Sequence, residues 1–153
     1  MLRISLFSAV AALAMLAAPL AASAGQKNSA PTTQTATSNS FALFGSANSL
    51  SLNNNAIDQS NFLAGKRVFQ NNSAPTHQSA TSNAVAIGGD ASATSVNTNL
   101  IQQSNDAFGR KIHQTNSAPT TQSAVSTAVS VGGDASALSA NSNGVSQSNG
   151  AVR

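Results

Sequence analysis

Side chains of similar chemistry recur at every second position over long stretches of the chain, which is the period of a β-strand. From Asn53, the odd positions read Asn53, Asn55, Ile57, Gln59, Asn61 and Leu63. Corresponding runs read Asn97, Asn99, Ile101, Gln103, Asn105 and Ala107, and then Asn141, Asn143, Val145, Gln147, Asn149 and Ala151. The intervening positions are less constant between copies, and their residues include Ser, Ala, Thr and Asp. The face that keeps its chemistry is predicted to point inward, and the variable face outward.

A second alternating run is assigned to the inward face for the same reason. It reads Thr81, Asn83, Val85 and Ile87, and its counterparts are Thr37, Asn39, Phe41 and Leu43, and Val125, Thr127, Val129 and Val131. On this assignment, small aliphatic side chains fill the gaps between the polar ones. These are Ile57, Ile101, Val145, Val85, Ile87, Val129 and Val131.

These runs belong to an internal repeat of 44 residues. Asn-Ser-Ala-Pro occurs at residues 28–31, 72–75 and 116–119, and Gln-Ser-Asn at 59–61, 103–105 and 147–149. The repeat domain, residues 25–153, contains three copies, 26–69, 70–113 and 114–153. Each repeat divides into four modules of 11 residues, with Gln recurring in the first column and Asn in the third. A fixed period of this kind indicates a stacked architecture.

The predicted fold class is therefore all-β, a β-solenoid of stacked strand-turn-strand rungs built from three 44-residue repeats. Rungs about 4.7–4.8 Å apart would place identical amides above one another, where they can hydrogen-bond as ladders. The expected ladder residues are Gln26, Asn28, Gln59, Asn61, Gln70, Asn72, Gln103, Asn105, Gln114, Asn116, Gln147 and Asn149. We favour a rung of 22 residues over one of 44, because Gln and Asn columns recur within each repeat.

Glycine-rich and cationic segments mark the expected corners between strands. Glycine permits the positive φ of tight turns, so Gly88, Gly89, Asp90, Gly132, Gly133 and Asp134 are assigned to turns. Lys66-Arg67 and Arg110-Lys111 fall in the same columns of other modules, and solvated corners are the favoured interpretation for them. Contact with anionic lipid, DNA or polysaccharide in a matrix is the alternative. Pro31, Pro75 and Pro119 are expected at an edge, a bulge or a corner.

Residues 1–24 have the layout of a secretory signal peptide. Arg3 precedes a mostly apolar run, and Ala22-Ser23-Ala24 forms a small-residue cleavage site before Gly25. A membrane anchor is less favoured, because the uninterrupted apolar stretch, residues 9–18, is shorter than the roughly 20 residues needed to span a bilayer. The mature chain is expected to leave the cytoplasm without a transmembrane segment.

Composition argues against several classes of function. Charged residues make up only 7% of the chain, and the absence of cysteine excludes disulfides and thiolate metal sites. The net charge of +3 comes from cations that are dispersed along the sequence, so specific nucleic-acid binding is not expected. His77 and His113 occupy non-equivalent repeat positions, and no Ser-His-acid arrangement is apparent. We expect no enzyme, no cofactor, no catalytic residue and no metal site.

Acidic residues are too sparse for a calcium site. The chain has four, Asp58, Asp90, Asp106 and Asp134, and one carboxylate per turn supplies too few oxygen ligands. Gly-Gly-Asp is therefore interpreted as a structural turn.

The segments that begin at Gln26, Gln70 and Gln114 resemble the Asn-x-Ala-x-x-x-Gln half of the curlin repeat. Curlins are secreted subunits of curli, the bacterial functional amyloid. The resemblance implies a β-solenoid, nucleated assembly at the cell surface, a dedicated outer-membrane export apparatus, and roles in adhesion and biofilm matrix. It also implies that the motif's Gln and Asn residues form interior ladders, which adds Gln34, Gln78 and Gln122 to the residues above.

The expected function is that of a secreted structural protein that assembles end to end into amyloid-like fibres. The third copy still matches the repeat at Asn149, and no C-terminal cap is apparent, so an exposed strand edge is expected there. The expected partners are further copies of the chain, a nucleator subunit and the export apparatus, at the bacterial surface or outside the cell. The alternative is an exported monomeric or disordered repeat protein that acts as a surface binding module or spacer.

Overall fold

The computed structural model describes residues 24–153, which form seven β-strands and no helix. The strands are β1 (Ala24–Ser29), β2 (Thr32–Leu43), β3 (Ala47–Ser73), β4 (Thr76–Ile87), β5 (Ala91–Ser117), β6 (Thr120–Val131) and β7 (Ala135–Val152). The all-β prediction is confirmed. The predicted signal peptide lies outside the described residues, apart from its last residue, Ala24.

The strands form two parallel sheets. One has the order β1-β3-β5-β7 and the other the order β2-β4-β6. Every pair is in the same register, which places Gln26 beside Gln70 and Asn53 beside Asn97, 44 residues apart. The chain therefore lies in three layers, residues 24–67, 68–111 and 112–153. The preference for a 22-residue rung is wrong, because no strand in the described residues pairs at that offset.

The 11-residue period has a different origin from the one inferred from sequence. Asn61 and Asn72 are 11 positions apart, and Asn61 Nδ2 donates to Asn72 Oδ1 at 2.9 Å. Asn61 lies on the stretch formed by residues 47–63, and Asn72 lies on the stretch formed by residues 68–87, after the corner between them. We call two such stretches, which face each other across the interior, the limbs of the fold. The short period thus records contacts across the interior, whereas the stacking of layers follows the 44-residue period.

Two kinds of corner close each layer. At residues 64–67 and 108–111, β3 and β5 turn while they stay paired, and the buried positions change from odd to even numbers. At residues 44–46, 88–90 and 132–134 the strands are interrupted. Gly88 and Gly132 have φ of 74° and 82° there, the left-handed conformation that glycine adopts without strain. Phe44 occupies the same place in the first layer, with φ of 57°.

The two limbs of each layer pack face to face, with their alternate side chains pointing inward. Near the cationic corners the interior holds larger side chains, including Ile57, Ile101, Leu63 and Val68. Near the Gly-Gly-Asp corners it is lined by Ala47, Ala84, Ala86, Ala91 and Ala93. Only small inward side chains occur where the limbs approach this corner.

This narrowing explains why the assignment of the second alternating run is wrong. Thr81, Asn83, Val85 and Ile87 lie on the outer face, and so do their counterparts in the other copies. The residues between them, Ser82, Ala84 and Ala86, are fully buried. Because the inward positions are small, the β-branched side chains occupy the outer face, where Val131 exposes 62% of its surface.

The three prolines interrupt the backbone ladder without reversing the faces. Pro75 lies between β3 and β4, and Ala74 and Thr76 on either side of it are both inward and buried. Backbone hydrogen bonds resume at once, because Thr32 N donates to Pro75 O at 2.9 Å. Proline here removes one donor and occupies an outward position.

Candidate self-assembly site

Glutamine side chains stack in three inward columns that cross all the layers. The columns are Gln26, Gln70 and Gln114; Gln34, Gln78 and Gln122; and Gln59, Gln103 and Gln147. In the second column, Gln122 Nε2 donates to Gln78 Oε1, and Gln78 Nε2 donates to Gln34 Oε1, both at 2.7 Å. The other two columns have the same direction, with distances from 2.7 to 3.4 Å. Every glutamine ladder thus donates toward the first layer.

Inward asparagines form ladders with the opposite direction. The columns are Asn53, Asn97 and Asn141; Asn55, Asn99 and Asn143; and Asn61, Asn105 and Asn149. Asn53 Nδ2 donates to Asn97 Oδ1 at 2.9 Å, and Asn97 Nδ2 donates to Asn141 Oδ1 at 2.8 Å. The other two columns show the same direction at 2.8–3.0 Å. These ladders donate toward the last layer.

One asparagine network also crosses from limb to limb. It passes in sequence order through Asn28, Asn61, Asn72, Asn105, Asn116 and Asn149, with each amide donating to the next at 2.7–3.2 Å. Its members alternate between facing limbs, so each amide of one limb lies between two layers of the other. The network therefore joins the limbs and the layers at the same time.

Several of these amides make a second hydrogen bond to the backbone of the facing limb, whereas Asn55 and Asn99 make theirs to the hydroxyl groups of Thr76 and Thr120. Gln78 Nε2 also donates to Thr98 O at 3.0 Å, and Asn97 Nδ2 donates to Ser123 O at 2.6 Å. No buried side-chain nitrogen or oxygen within residues 24–153 lacks a partner. Because an unpaired buried amide would cost about 1–3 kcal/mol, this complete pairing allows the interior to be polar.

Burial of the ladders depends on the layer. Asn97, Asn99 and Gln103 in the second layer expose at most 3% of their surface. Their third-layer counterparts, including Asn141 and Gln147, are exposed, because β7 contacts only β6 on the facing limb, whereas β5 contacts both β4 and β6 among the described residues. The same side chains are interior groups in one layer and surface groups in the next.

No family model, curated protein or solved structure matches the chain significantly. What the ladders can do must therefore be inferred from their own geometry. They offer aligned amide donors and acceptors at both ends of the stack and no reactive group. Within the described part of the chain, no three His, Cys, Asp or Glu residues come close enough to hold a metal ion.

The remaining residues singled out from sequence lie on the surface. Asp90 and Asp134 lie at one corner, where Asp134 N donates to Asp90 Oδ1 at 3.0 Å. His77 is exposed on β4, and His113 is exposed on β5 beside Phe69. Among residues 24–153, no helical segment has the length and apolar character that a membrane-spanning helix requires.

Sequence reasoning placed one group of ladder residues on the correct face without including it among the ladders. Asn53 and Asn55, with their counterparts in the other copies, form two continuous asparagine columns with distances of 2.8–2.9 Å. The signal was available, because these positions are Asn in all three copies. They fall outside the third column of the 11-residue modules, which is the column from which the asparagine ladders are predicted. The 11-residue period arises from contacts between the facing limbs and does not describe the stacking of layers.

Proposed function

We propose that this chain is a secreted structural protein with a β-solenoid fold, in which three 44-residue repeats form stacked strand-turn-strand rungs. We further propose that copies assemble end to end into amyloid-like fibres. The observation that carries the proposal is the difference between layers: inward residues that are buried in the second layer, such as Asn97, are exposed in the third, as at Asn141. A further rung of the same chemistry would bury them.

The edge strands supply the backbone groups for such a junction. β7 and β6 are paired on one side only, and unpaired strand edges are templates for further strands. A second copy placed on the third layer would bring its β3 onto β7, and its β1 and β2 onto the limb formed by residues 112–131. The register of 44 would continue across the junction, because the inward columns of the two copies carry the same residues.

The ladders favour one orientation of the incoming copy. At the third layer, the glutamine columns present Oε1 acceptors and the inward asparagine columns present Nδ2 donors. At the first layer, the glutamines present donors and the asparagines present acceptors. A head-to-tail junction pairs donor with acceptor in every column. A head-to-head junction would oppose donor to donor in the glutamine columns, so the proposed fibre is polar and open-ended.

The biological setting follows from the predicted signal peptide and from the resemblance to the curlin repeat. Export would deliver the chain to the outside of a bacterial cell through a dedicated outer-membrane apparatus, and a nucleator subunit would start the fibre. The fibre would then contribute to adhesion and biofilm matrix. The cross-β arrangement of such fibres gives the mechanical and chemical resistance that these roles require.

Gly45 provides a sharp test of the junction. A Cβ at Gly89 would overlap the carbonyl oxygen of Gly45 one layer below, whereas a Cβ at Gly45 itself meets nothing within 4 Å. In a head-to-tail stack, Gly45 would lie on Gly133 of the neighbouring copy, and its Cβ would meet that carbonyl. Gly45→Ala should therefore leave the isolated chain folded and block elongation.

The matched control is Ser46→Ala, a change of similar size at the adjacent exposed position. Circular dichroism would record the β-content of the isolated chains, and thioflavin fluorescence with electron microscopy would record fibres. We expect fibres from the parent chain and from Ser46→Ala, but not from Gly45→Ala. If the parent chain stays a β-rich monomer, the surface binding module replaces the fibre. If all three chains elongate alike, the proposed junction is wrong.

A further inference from the structure

The cations of the described residues collect at one end of each layer, although they are dispersed along the sequence. Arg67 pairs in register with Lys111, and Lys66 and Arg110 precede them at the same corner. Arg153 follows Val152, which pairs with Phe108, so it lies at the same corner in the third layer. We call this surface the basic corner, and it comprises Lys66, Arg67, Arg110, Lys111 and Arg153.

The acidic residues lie elsewhere. Asp90 and Asp134 are at the Gly-Gly-Asp corner, at the other end of the layers. Asp58 and Asp106 point outward from the broad face formed by residues 47–63 of β3 and 91–107 of β5. Within residues 24–153, no side chain of the basic corner has a hydrogen bond or an ion pair. Like charges on adjacent strands repel each other, and no acidic side chain of the described residues compensates them here, so this corner carries a net positive charge that would attract anions.

An aromatic groove adjoins the basic corner on the outer face of β1, β3 and β5. It has a volume of about 390 Å³, and its lining includes Gly25, Lys27, Phe69 and His113. Phe69 is 53% exposed, and its ring centroid lies 6.1 Å from that of His113. Gly25 has no side chain below Phe69, which leaves one side of the ring open. Phe69 lies two residues after Arg67, on the same outward face.

We propose that the basic corner and the aromatic groove together bind single-stranded nucleic acid without sequence preference. Such binding combines cations that follow the phosphate backbone with aromatic rings on which bases stack. The cations of the basic corner lie next to Lys27 and the exposed face of Phe69, which is the required arrangement. A duplex keeps its base faces stacked inside, and a sulfated polysaccharide needs only the charges. The groove beside the charges therefore favours the single strand.

The test measures binding of a fluorescently labelled oligothymidylate of about 15 nucleotides to the full chain by anisotropy over a series of salt concentrations. About four phosphate contacts predict a slope of about −3 for log K against log salt, because each contact contributes about −0.7 on a single strand. Replacing Arg67→Gln and Lys111→Gln together should weaken binding at least about tenfold and make the slope shallower by about 1.4.

The aromatic contribution is tested separately. Phe69→Leu should weaken oligothymidylate binding about tenfold with an unchanged salt slope, because stacking does not release ions. Phe62→Leu is the matched control, since Phe62 is 72% exposed on the opposite broad face, and it should bind as the parent does. All four changes are outward, and circular dichroism would check that the fold is retained.

A sulfated dextran serves as the competing polyanion. Weaker competition per charge by the dextran, combined with the effect of Phe69→Leu, supports the proposal. Three results would overturn it: no binding of the oligothymidylate, unchanged binding by Phe69→Leu, or dextran and nucleic acid binding with equal affinity per charge. The last result would identify the corner as a surface for polysaccharides and other anionic polymers.

Discussion

The second and third layers carry nearly the same inward residues, and yet the third layer is much less buried, above all along β7. Ile101 is fully buried, whereas Val145, its counterpart one layer on, exposes 43% of its surface. The chemistry of a residue does not decide whether it belongs to the interior here. That depends on whether strands of the facing limb lie on both sides of it: β3 and β5 each contact two such strands and bury Ile57 and Ile101, whereas β7 contacts β6 alone among the described strands. The end of the stack is therefore incomplete by itself and would be completed by a further layer.

The comparison also shows what replaces an apolar core. In the second layer, the largest fully buried side chains include Gln70, Gln78 and four asparagines besides Ile101 and Val68. Their amides are satisfied by the layers above and below. The third layer offers the same groups to solvent, where water can satisfy them, so the isolated chain tolerates an edge that a stack would bury.

The largest difference between the two layers is expected in the aliphatic column. Ile101→Ala should lower the free energy of unfolding by about 2–5 kcal/mol, because it removes buried methyl groups and leaves a cavity beside Ile57 and Ala74. Val145→Ala should lower it by about 1 kcal/mol, because its side chain is partly solvated already. Denaturant unfolding of unassembled chains measures both values, and equal losses would contradict the layer model.

A smaller difference is expected in a glutamine ladder. Gln103→Ala removes the acceptor of Gln147 and the donor to Gln59, so it should destabilise the isolated chain by about 1–3 kcal/mol. Gln147→Ala should change stability by only about 0.5 kcal/mol, because Gln147 lies at the exposed edge. Both changes should slow fibre growth, since both interrupt the one column, Gln59, Gln103 and Gln147, that crosses the proposed junction. A fibre that grows at the parental rate with either change would remove the ladders from the junction.

The smallest effect is expected on the outer face. Val129→Thr should alter the free energy of unfolding by less than about 0.5 kcal/mol, because Val129 is 46% exposed and its new hydroxyl would reach water. Val68→Thr, at a fully buried position, should cost about 1–3 kcal/mol. Thermal or denaturant unfolding of the two variants tests the face assignment, and a large loss from Val129→Thr would restore the inward assignment made from sequence.

The sequence was sufficient for part of the fold because the inward positions are chemically constrained. Asn53, Ile57 and Gln59 kept their types across the copies, and their face was predicted correctly. Val85 and Ile87 lie on the outer face although their alternating run recurs in every copy, so constant chemistry on one face is not by itself a sign of burial. The narrow, alanine-lined end of the interior excludes such side chains, and that width depends on packing between limbs that no local pattern records.

The stacking distance and the charge distribution depended on the same missing information. Asn61 and Asn72 suggested a short rung, because a contact across the interior imitates a repeat. Arg67 and Lys111 appeared dispersed in sequence and lie side by side in register. A corner position and a register are relations between distant segments, so the basic corner could only be identified once the 44-residue pairing was known.

The proposed head-to-tail stack can be tested directly by cross-linking, since the chain has no cysteine of its own. Ser60, Ser104 and Ser148 form an outward column, and adjacent strands about 4.8 Å apart are within the range that a disulfide bridges. In a head-to-tail fibre, Ser148 of one copy would lie beside Ser60 of the next. A mixture of copies carrying Ser60→Cys with copies carrying Ser148→Cys should therefore oxidise to cross-linked dimers on assembly. A mixture of Ser60→Cys with Ser104→Cys copies should not, and equal cross-linking in the two mixtures would contradict the proposed junction.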